Sequence, residues 1–161
     1  MTTAPVKLDA LSNKVYLFSW LEEDKLNFLF NKAQIISLDS GNICIESEAP
    51  NDGIHIVCSG SIEVLSGSEE SRDVLCTLIE GDFFGEQCLL QKSITRATFK
   101  ALEDKTLVYF ISNDLLQEFE ASYPDQFAIL ISNLARFYSR TLRSLNDRLS
   151  LSSQAHGPHS Q

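Results

Sequence analysis

The residues best suited to ligand chemistry lie in the run GDFFGE at 81–86 and at Arg96. A guanidinium such as that of Arg96 forms two parallel hydrogen bonds to a phosphate, and a carboxylate such as Glu86 accepts hydrogen bonds from ligand hydroxyls. Gly85 leaves room for a ligand beside the backbone, and a short helix beginning at Phe84-Gly85-Glu86 would point N–H groups at an anion. One anion site beside one hydroxyl acceptor predicts a pocket for a sugar phosphate.

Other residues that could do chemistry lack supporting context. His55 and Cys58 lie three residues apart in a predicted strand, hence on opposite faces, and no Ser–His–Asp or Cys–His arrangement is evident. The four cysteines, Cys44, Cys58, Cys76 and Cys88, form no CxxC pair and are expected to be free thiols. The sequence therefore predicts a protein that is not an enzyme and holds no metal or cofactor.

Length and charge narrow the class of protein. The chain has 161 residues, the size of one domain, and 13 Lys+Arg against 22 Asp+Glu give a net charge of −9. An acidic surplus of this size argues against a protein that coats nucleic acid or anionic membrane. With no signal peptide or membrane span in the sequence, we expect a cytoplasmic protein.

The spacing of apolar residues predicts the helices and strands that must position these residues. Residues 8–31 have helical spacing, and Ser19 is suited to cap the second of two short helices. Strands are predicted at 33–39, 42–47, 54–59, 61–66, 73–79, 96–103 and 106–112, interrupted at 81–91 by residues compatible with one or two helical turns. A short helix at 115–122, capped by Ser112 or Asn113, and a long helix from Pro124 follow. The pattern indicates an α+β fold, an eight-stranded antiparallel β jelly-roll barrel flanked by N-terminal helices and two C-terminal helices.

The last helix, about 124–150, carries a nearly heptad seam. Its apolar positions are Phe127, Leu130 or Ile131, Leu134, Tyr138, Thr141 or Leu142, Leu145 and Leu149. A helix of this length cannot bury its whole apolar face on a small barrel, so a homodimer through it is predicted, with a lone helix folded over the barrel as the alternative. The domain is expected to span 1–150, followed by a disordered tail at 151–161.

Together these residues resemble the cyclic nucleotide-binding domain family over roughly residues 15–150. The resemblance rests on Gly41, Pro50, Asp52-Gly53, Gly60, the GDFFGE run, Leu89-Leu90, Arg96-Ala97-Thr98 and Ala101. It implies that Glu86 receives the ribose 2′-OH, that Gly85 and nearby backbone amides meet the cyclic phosphate, and that Arg96 pairs with its charge. The ligand site implied by the resemblance comprises Phe84, Gly85, Glu86, Cys88, Leu89, Thr95, Arg96, Ala97 and Thr98, with Phe137, Tyr138 and Thr141 as a lid over the base.

Two positions depart from the family pattern. Glu48 stands where the family has a glycine, so a turn that requires positive φ would be strained there. Counting from Glu86 to Lys100-Ala101 places Thr95 where the phosphate arginine belongs, and a one-residue slip in a strand turns Arg96 to the other face. Alternatively, the loop at 91–95 holds one residue more and Arg96 faces the pocket.

The predicted function is a regulatory sensor for a cyclic nucleotide, cAMP or cGMP with cAMP preferred, that couples ligand binding to movement of its C-terminal helices. The alternative is a degenerate domain that binds no nucleotide and serves as a dimerisation or partner-docking module. About a dozen residues follow Leu149 and none is basic, so no DNA-binding domain is expected in this chain. An effector protein or a further domain would then receive the signal.

Overall fold

In the computed structural model of the chain, residues 14–67, 71–92 and 94–155 are described, with side chains up to residue 151. The predicted helices at the N-terminus are a 3-10 turn at Tyr16–Phe18 and the helix α1 at Glu23–Lys32. The prediction that Ser19 caps the second helix is wrong, because Ser19 closes the 3-10 turn and Glu22 precedes α1 as its N-cap. The part of the predicted helical segment before Lys14 lies outside the described residues.

Eight strands follow, as predicted, in two antiparallel four-stranded sheets. Their bounds are β1 Gln34–Leu38, β2 Ile43–Ile45, β3 Gly53–Ser59, β4 Ser61–Ser66, β5 Asp73–Ile79, β6 Phe83–Phe84, β7 Thr98–Ala101 and β8 Thr106–Ser112. One sheet has the order β1-β8-β3-β6 and the other β2-β7-β4-β5. The jelly-roll fold is confirmed, but among the described residues the two sheets do not join into a closed barrel.

Two helices complete the chain, α2 at Asn113–Ser122 and α3 at Pro124–Ala155. The Ser112 hydroxyl accepts a hydrogen bond from the Leu115 N–H (3.3 Å), so Ser112 is the predicted N-cap of α2. Pro124 occupies the first helical position of α3, where its missing N–H costs nothing. Helix α3 continues to Ala155, five residues beyond the predicted end, and the rest of the predicted tail lies outside the described residues.

The core has two parts. The larger lies between the β1-β8-β3-β6 sheet and the helices, and its fully buried side chains include Leu29, Ile56, Phe119 and Leu134. The smaller lies between the two sheets around Val57, Ile62 and Val108. Helix α3 therefore packs on the fold through its first half, whereas residues 139–151 are exposed.

Candidate functional site

The GDFFGE run at 81–86 and the turn that follows it are called the cassette below. They are built around β6 and a single 3-10 turn at Glu86–Leu89, in place of the predicted short helix. A cavity of about 160 Å³ lies beside it. Six predicted site residues line this cavity: Phe84, Gly85, Glu86, Thr95, Arg96 and Ala97. Asn51, Gln87 and Phe99 line it as well and were not predicted. We call this space the cassette cavity.

A stack of aromatic rings supports the floor of the cassette. The Phe84 ring lies parallel to Phe99 (centroids 4.3 Å apart) on one side and to His55 (4.9 Å) on the other, and His55 also contacts Phe110 (4.6 Å). Strand pairing of His55 with Phe84 sets this order. The stack fixes the position at which the chain leaves β6, and hence the position of Gly85.

Gly85 cannot be replaced without movement of the backbone. Its φ is +79°, and a Cβ at this position would lie 2.5 Å from the Gly53 carbonyl oxygen. Its own carbonyl accepts a hydrogen bond from Asn51 Nδ2 (2.9 Å). Because β3 pairs with β6, the turn at 50–53 lies against the cassette, and no pattern in the sequence indicates this contact of Asn51.

His55 is buried, with 6% of its surface exposed. Burial lowers the pKa of its imidazole from 6.5 to about 4, since a charged ring is poorly solvated between aromatic neighbours. His55 Nδ1 has no hydrogen-bond partner. The ring beneath the cassette is therefore neutral at physiological pH.

Glu86 is already engaged by the terminal helix. The Tyr138 hydroxyl on α3 donates a 2.7 Å hydrogen bond to Glu86 Oε1. Burial, followed by this bond to the carboxylate, raises the pKa of the Tyr138 phenol above its usual value, so Tyr138 is the proton donor at neutral pH. Phe137, the preceding residue, packs on Phe83 with ring centroids 4.8 Å apart. Two of the three predicted lid residues thus contact the cassette.

Thr95 and Arg96 differ in burial. Thr95 Oγ1 is buried and has no hydrogen-bond partner. The Arg96 side chain is exposed, and no ion pair or hydrogen bond joins it to another described residue. Arg96 also lines two outer cavities of about 470 and 510 Å³, so it lies at the rim shared by the three spaces.

Four predicted site residues lie away from the cassette cavity. Cys88 and Leu89 line a separate space of about 190 Å³ against α2, and burial raises the pKa of the Cys88 thiol to about 12. Thr98 is buried and donates to Glu46 Oε1 (2.9 Å). Thr141 is exposed, and its hydroxyl donates to the Phe137 carbonyl of its own helix (3.0 Å).

Within the described ranges, no group of three or more His, Cys, Asp or Glu side chains is arranged to hold a metal ion. The four cysteines are free. None of the helices described is both long enough and apolar enough to cross a membrane.

Comparison with known proteins identifies the family. The family described as "Cyclic nucleotide-binding domain" matches residues 35–123. The potassium channel AKT2/3 of Arabidopsis thaliana is 27% identical over 128 residues, which cover 79% of this chain and 16% of the channel. The catabolite activator protein of Thermus thermophilus superposes with a TM-score of 0.71 at 22% identity, covering 86% of this chain and 63% of that one.

A third protein, the regulatory domain of Toxoplasma gondii PKA crystallised with cAMP, superposes with a TM-score of 0.63 at 20% identity, covering 73% of this chain and 46% of that one. These structural likenesses show the fold, and this chain spans only a small part of the channel it matches. The family match covers more than half of the chain and includes the cassette at 81–86. The chain therefore belongs to the cyclic nucleotide-binding domain family, whose members use this fold as a regulatory ligand-binding domain.

Proposed function

We propose that this chain is a non-enzymatic cyclic nucleotide sensor, with cAMP as its preferred ligand, and that ligand binding moves helix α3. The observation that carries the proposal is the 2.7 Å hydrogen bond from Tyr138 on α3 to Glu86 in the cassette. Glu86 is the group that the family resemblance assigns to the ribose hydroxyl. Ligand and helix therefore meet at one carboxylate.

A ligand shifts a conformational equilibrium only when it binds one arrangement better than the other. In the described arrangement, Tyr138 occupies Glu86 Oε1, so a ribose hydroxyl that requires this oxygen must compete with the helix. The neighbouring contact of Phe137 with Phe83 extends the same interface and would change with it. Displacement of Tyr138 is thus a direct route from ligand binding to movement of α3.

We also propose that the exposed half of α3, which includes Thr141, packs against a second copy of the chain. Leu142, Leu145 and Leu149 are 60%, 48% and 65% exposed and follow one another at three- and four-residue steps, the spacing of a helix–helix seam. A homodimer through this seam would cover them. The four free cysteines are consistent with the reducing cytoplasm, where we place the protein.

Isothermal titration calorimetry with cAMP and cGMP tests the proposal. We expect both ligands to bind, cAMP more tightly, and Tyr138→Phe to bind cAMP about three- to tenfold more tightly than the wild type, since one competing hydrogen bond is lost. Tyr123→Phe, a tyrosine on the helical side of the fold, is the matched control and should leave the affinity unchanged. A wild-type protein that binds neither ligand at millimolar concentration would contradict the proposal.

A second candidate function, a docking module that binds no nucleotide, is favoured by one observation. The Arg96 side chain is exposed and has no charged partner among the described residues, so the cassette cavity has no buried guanidinium. Sedimentation analysis separates the candidates when it is combined with the calorimetry. A stable dimer without nucleotide affinity would favour the module, whereas affinity for either ligand favours the sensor.

A further inference from the structure

Helix α3 carries a row of cationic side chains in a chain that is otherwise acidic. Residues 136–148 hold four of the 13 Lys and Arg of the chain but only one of its 22 Asp and Glu. Arg136, Arg140, Ser144 and Arg148 lie at four-residue steps and therefore form one ridge along the helix. All four are exposed. We call this row the arginine ridge.

The charge of the arginine ridge is not neutralised within the described part of the chain. No carboxylate there lies within ion-pair distance of Arg136, Arg140 or Arg148. Arg136 makes one long hydrogen bond, to the uncharged Asn133 Oδ1 (3.5 Å). In a protein with a net charge of −9, such a row leaves a local positive potential that an external anion can complement.

Aromatic rings of the N-terminal segment support two of these arginines. The guanidinium carbon of Arg136 lies 5.0 Å from the centroid of the Trp20 ring, and that of Arg140 lies 4.6 Å from the centroid of Tyr16. A guanidinium held over a ring loses less freedom when its N–H groups bind a carboxylate. Trp20 is 71% exposed, although its backbone is left-handed (φ +65°), a conformation that is costly for a bulky side chain. Exposed Trp and Arg of this kind are typical of the energetic centres of protein interfaces.

A groove of about 510 Å³ lies along the distal part of the ridge. Its lining includes the polar side chains of Arg140, Ser144 and Arg148 and the apolar side chains of Phe137 and Leu145. A ligand that fits this groove combines an anionic group with an apolar one. Acidic peptides that contain an apolar side chain have both.

We propose that the arginine ridge binds an acidic segment of another protein, in extended conformation and with Asp or Glu at alternate positions. Residues four apart on a helix are separated by about 6 Å along its axis, close to the distance of about 7 Å between alternate residues of an extended chain. The ridge is about 18 Å long, so about six residues of peptide cover it. Larger polyanions, such as nucleic acid or an anionic membrane, would also meet the acidic remainder of the chain and be repelled.

This docking surface goes beyond the proposed function and does not depend on nucleotide binding. It is also compatible with a homodimer through the leucine seam. Arg140 lies two residues before Leu142, about 160° round the helix from it, so a second copy on the seam leaves the first half of the ridge open.

Fluorescence and calorimetry of the full chain without nucleotide test the proposal. The probe is a peptide of about eight residues in which Glu alternates with Ala and a Leu follows the last Glu. Trp20 is the only tryptophan of the chain, so a saturable change of its emission would place the peptide at the ridge. The same peptide with Gln in place of each Glu should cause no change.

Calorimetry on matched variants measures the contribution of each arginine. Arg136→Gln and Arg140→Gln should each weaken binding of the Glu peptide at least about threefold, and the double variant at least about tenfold. Lys105→Gln, which removes an exposed cation from the turn between β7 and β8, is the matched control and should weaken binding less than about twofold. Thermal denaturation should show all variants as stable as the wild type, because the replaced side chains are exposed.

Several results would overturn the proposal. These are the absence of Glu-peptide binding, equal affinity for the Gln peptide, and equal losses in Arg140→Gln and Lys105→Gln. Tighter binding to a single-stranded oligonucleotide, or to phosphatidylcholine vesicles containing phosphatidylserine, would assign the ridge to nucleic acid or membrane instead. Dissociation of a wild-type dimer by the double variant in sedimentation analysis would show that a second copy occupies the ridge.

Discussion

Two regions of the molecule bury polar side chains: the ligand cassette, and the interface between the N-terminal segment and α3. At the interface two buried amide side chains are satisfied, whereas the Tyr16 hydroxyl is buried without a partner. Asn133 is fully buried and its Nδ2 donates to the carbonyls of Leu17 (3.0 Å) and Ser19 (2.6 Å). Gln126, 3% exposed, accepts a hydrogen bond from the Glu22 N–H (2.9 Å). These bonds fix the first half of α3 to the rest of the fold.

At the cassette, by contrast, Thr95 Oγ1 and His55 Nδ1 are buried without partners, and Glu48 beside them has a φ of +69°. Natural proteins relax local rules of this kind mainly at functional sites. The difference separates two kinds of contact along α3. One region holds the helix in place with satisfied amide side chains, and the other contacts the cassette, where buried polar groups remain without partners.

The largest expected effect is a loss of folding stability in acid, caused by the buried His55 beneath the cassette. Below pH 6.5 the unfolded chain protonates His55, whereas the folded chain keeps it neutral until about pH 4. The unfolded state therefore binds more protons in this window, and the free energy of unfolding should fall by about 3 kcal/mol between pH 6.5 and 4 on account of this residue.

Urea unfolding across this pH range measures the effect, with His55→Phe as the comparison because a phenyl ring can keep the contacts with Phe84 and Phe110. The variant should lose less stability on acidification than the wild type. Equal losses of stability in both proteins would show that protonation of His55 does not destabilise the folded state in acid.

Loss of the hydrogen bonds at the interface between the N-terminal segment and α3 should destabilise the protein. Asn133→Leu removes the donor to the buried Leu17 carbonyl and to the half-buried Ser19 carbonyl, and we expect it to lower the free energy of unfolding by about 2–3 kcal/mol. Ser132→Ala, at the exposed neighbouring position, is the control and should change stability by less than about 0.5 kcal/mol. Equilibrium urea denaturation gives both values, and equal stabilities for the two variants would remove the contrast between the regions.

Much of this architecture could be predicted from the sequence because local signals agree with one another. The bounds of β4 and β5 match the predicted 61–66 and 73–79, since alternating apolar residues end there at glycine turns. The positive φ of Glu48 confirms the strain expected at a position that the family gives to glycine. Gly85 is predicted as a site residue because a glycine leaves room for a ligand beside the backbone.

Features that depend on distant contacts could not be predicted. The bond of Tyr138 to Glu86 joins residues 52 positions apart and depends on the angle at which α3 crosses the cassette. Asn51 reaches Gly85 only because β3 pairs with β6, a strand of two residues. The orientation of Thr95 and Arg96 is set by backbone bonds to Ala49 and Glu48, which no periodic pattern records.

Relief of backbone strain at the cassette should give the smallest effect. Glu48 is exposed and its N–H donates to the Thr95 carbonyl, so replacement by glycine keeps this bond and removes only the cost of a left-handed conformation. We expect Glu48→Gly to raise the free energy of unfolding by about 1 kcal/mol, after allowance for the greater freedom of glycine in the unfolded chain.

Lys105→Gly is the matched control, because Lys105 also has a positive φ (58°) but lies in the turn between β7 and β8, outside the cassette cavity. Equal increases in the free energy of unfolding of the two variants, measured with urea, would identify the left-handed backbone conformation as the common cause. If Glu48→Gly alone lowers the free energy of unfolding, contacts of the Glu48 side chain outweigh the strain of its backbone. That result would contradict the prediction that the cassette is strained at this position. Calorimetry with cAMP then separates strain from binding, since Lys105→Gly should leave the affinity unchanged and Glu48→Gly alters the segment that holds Thr95.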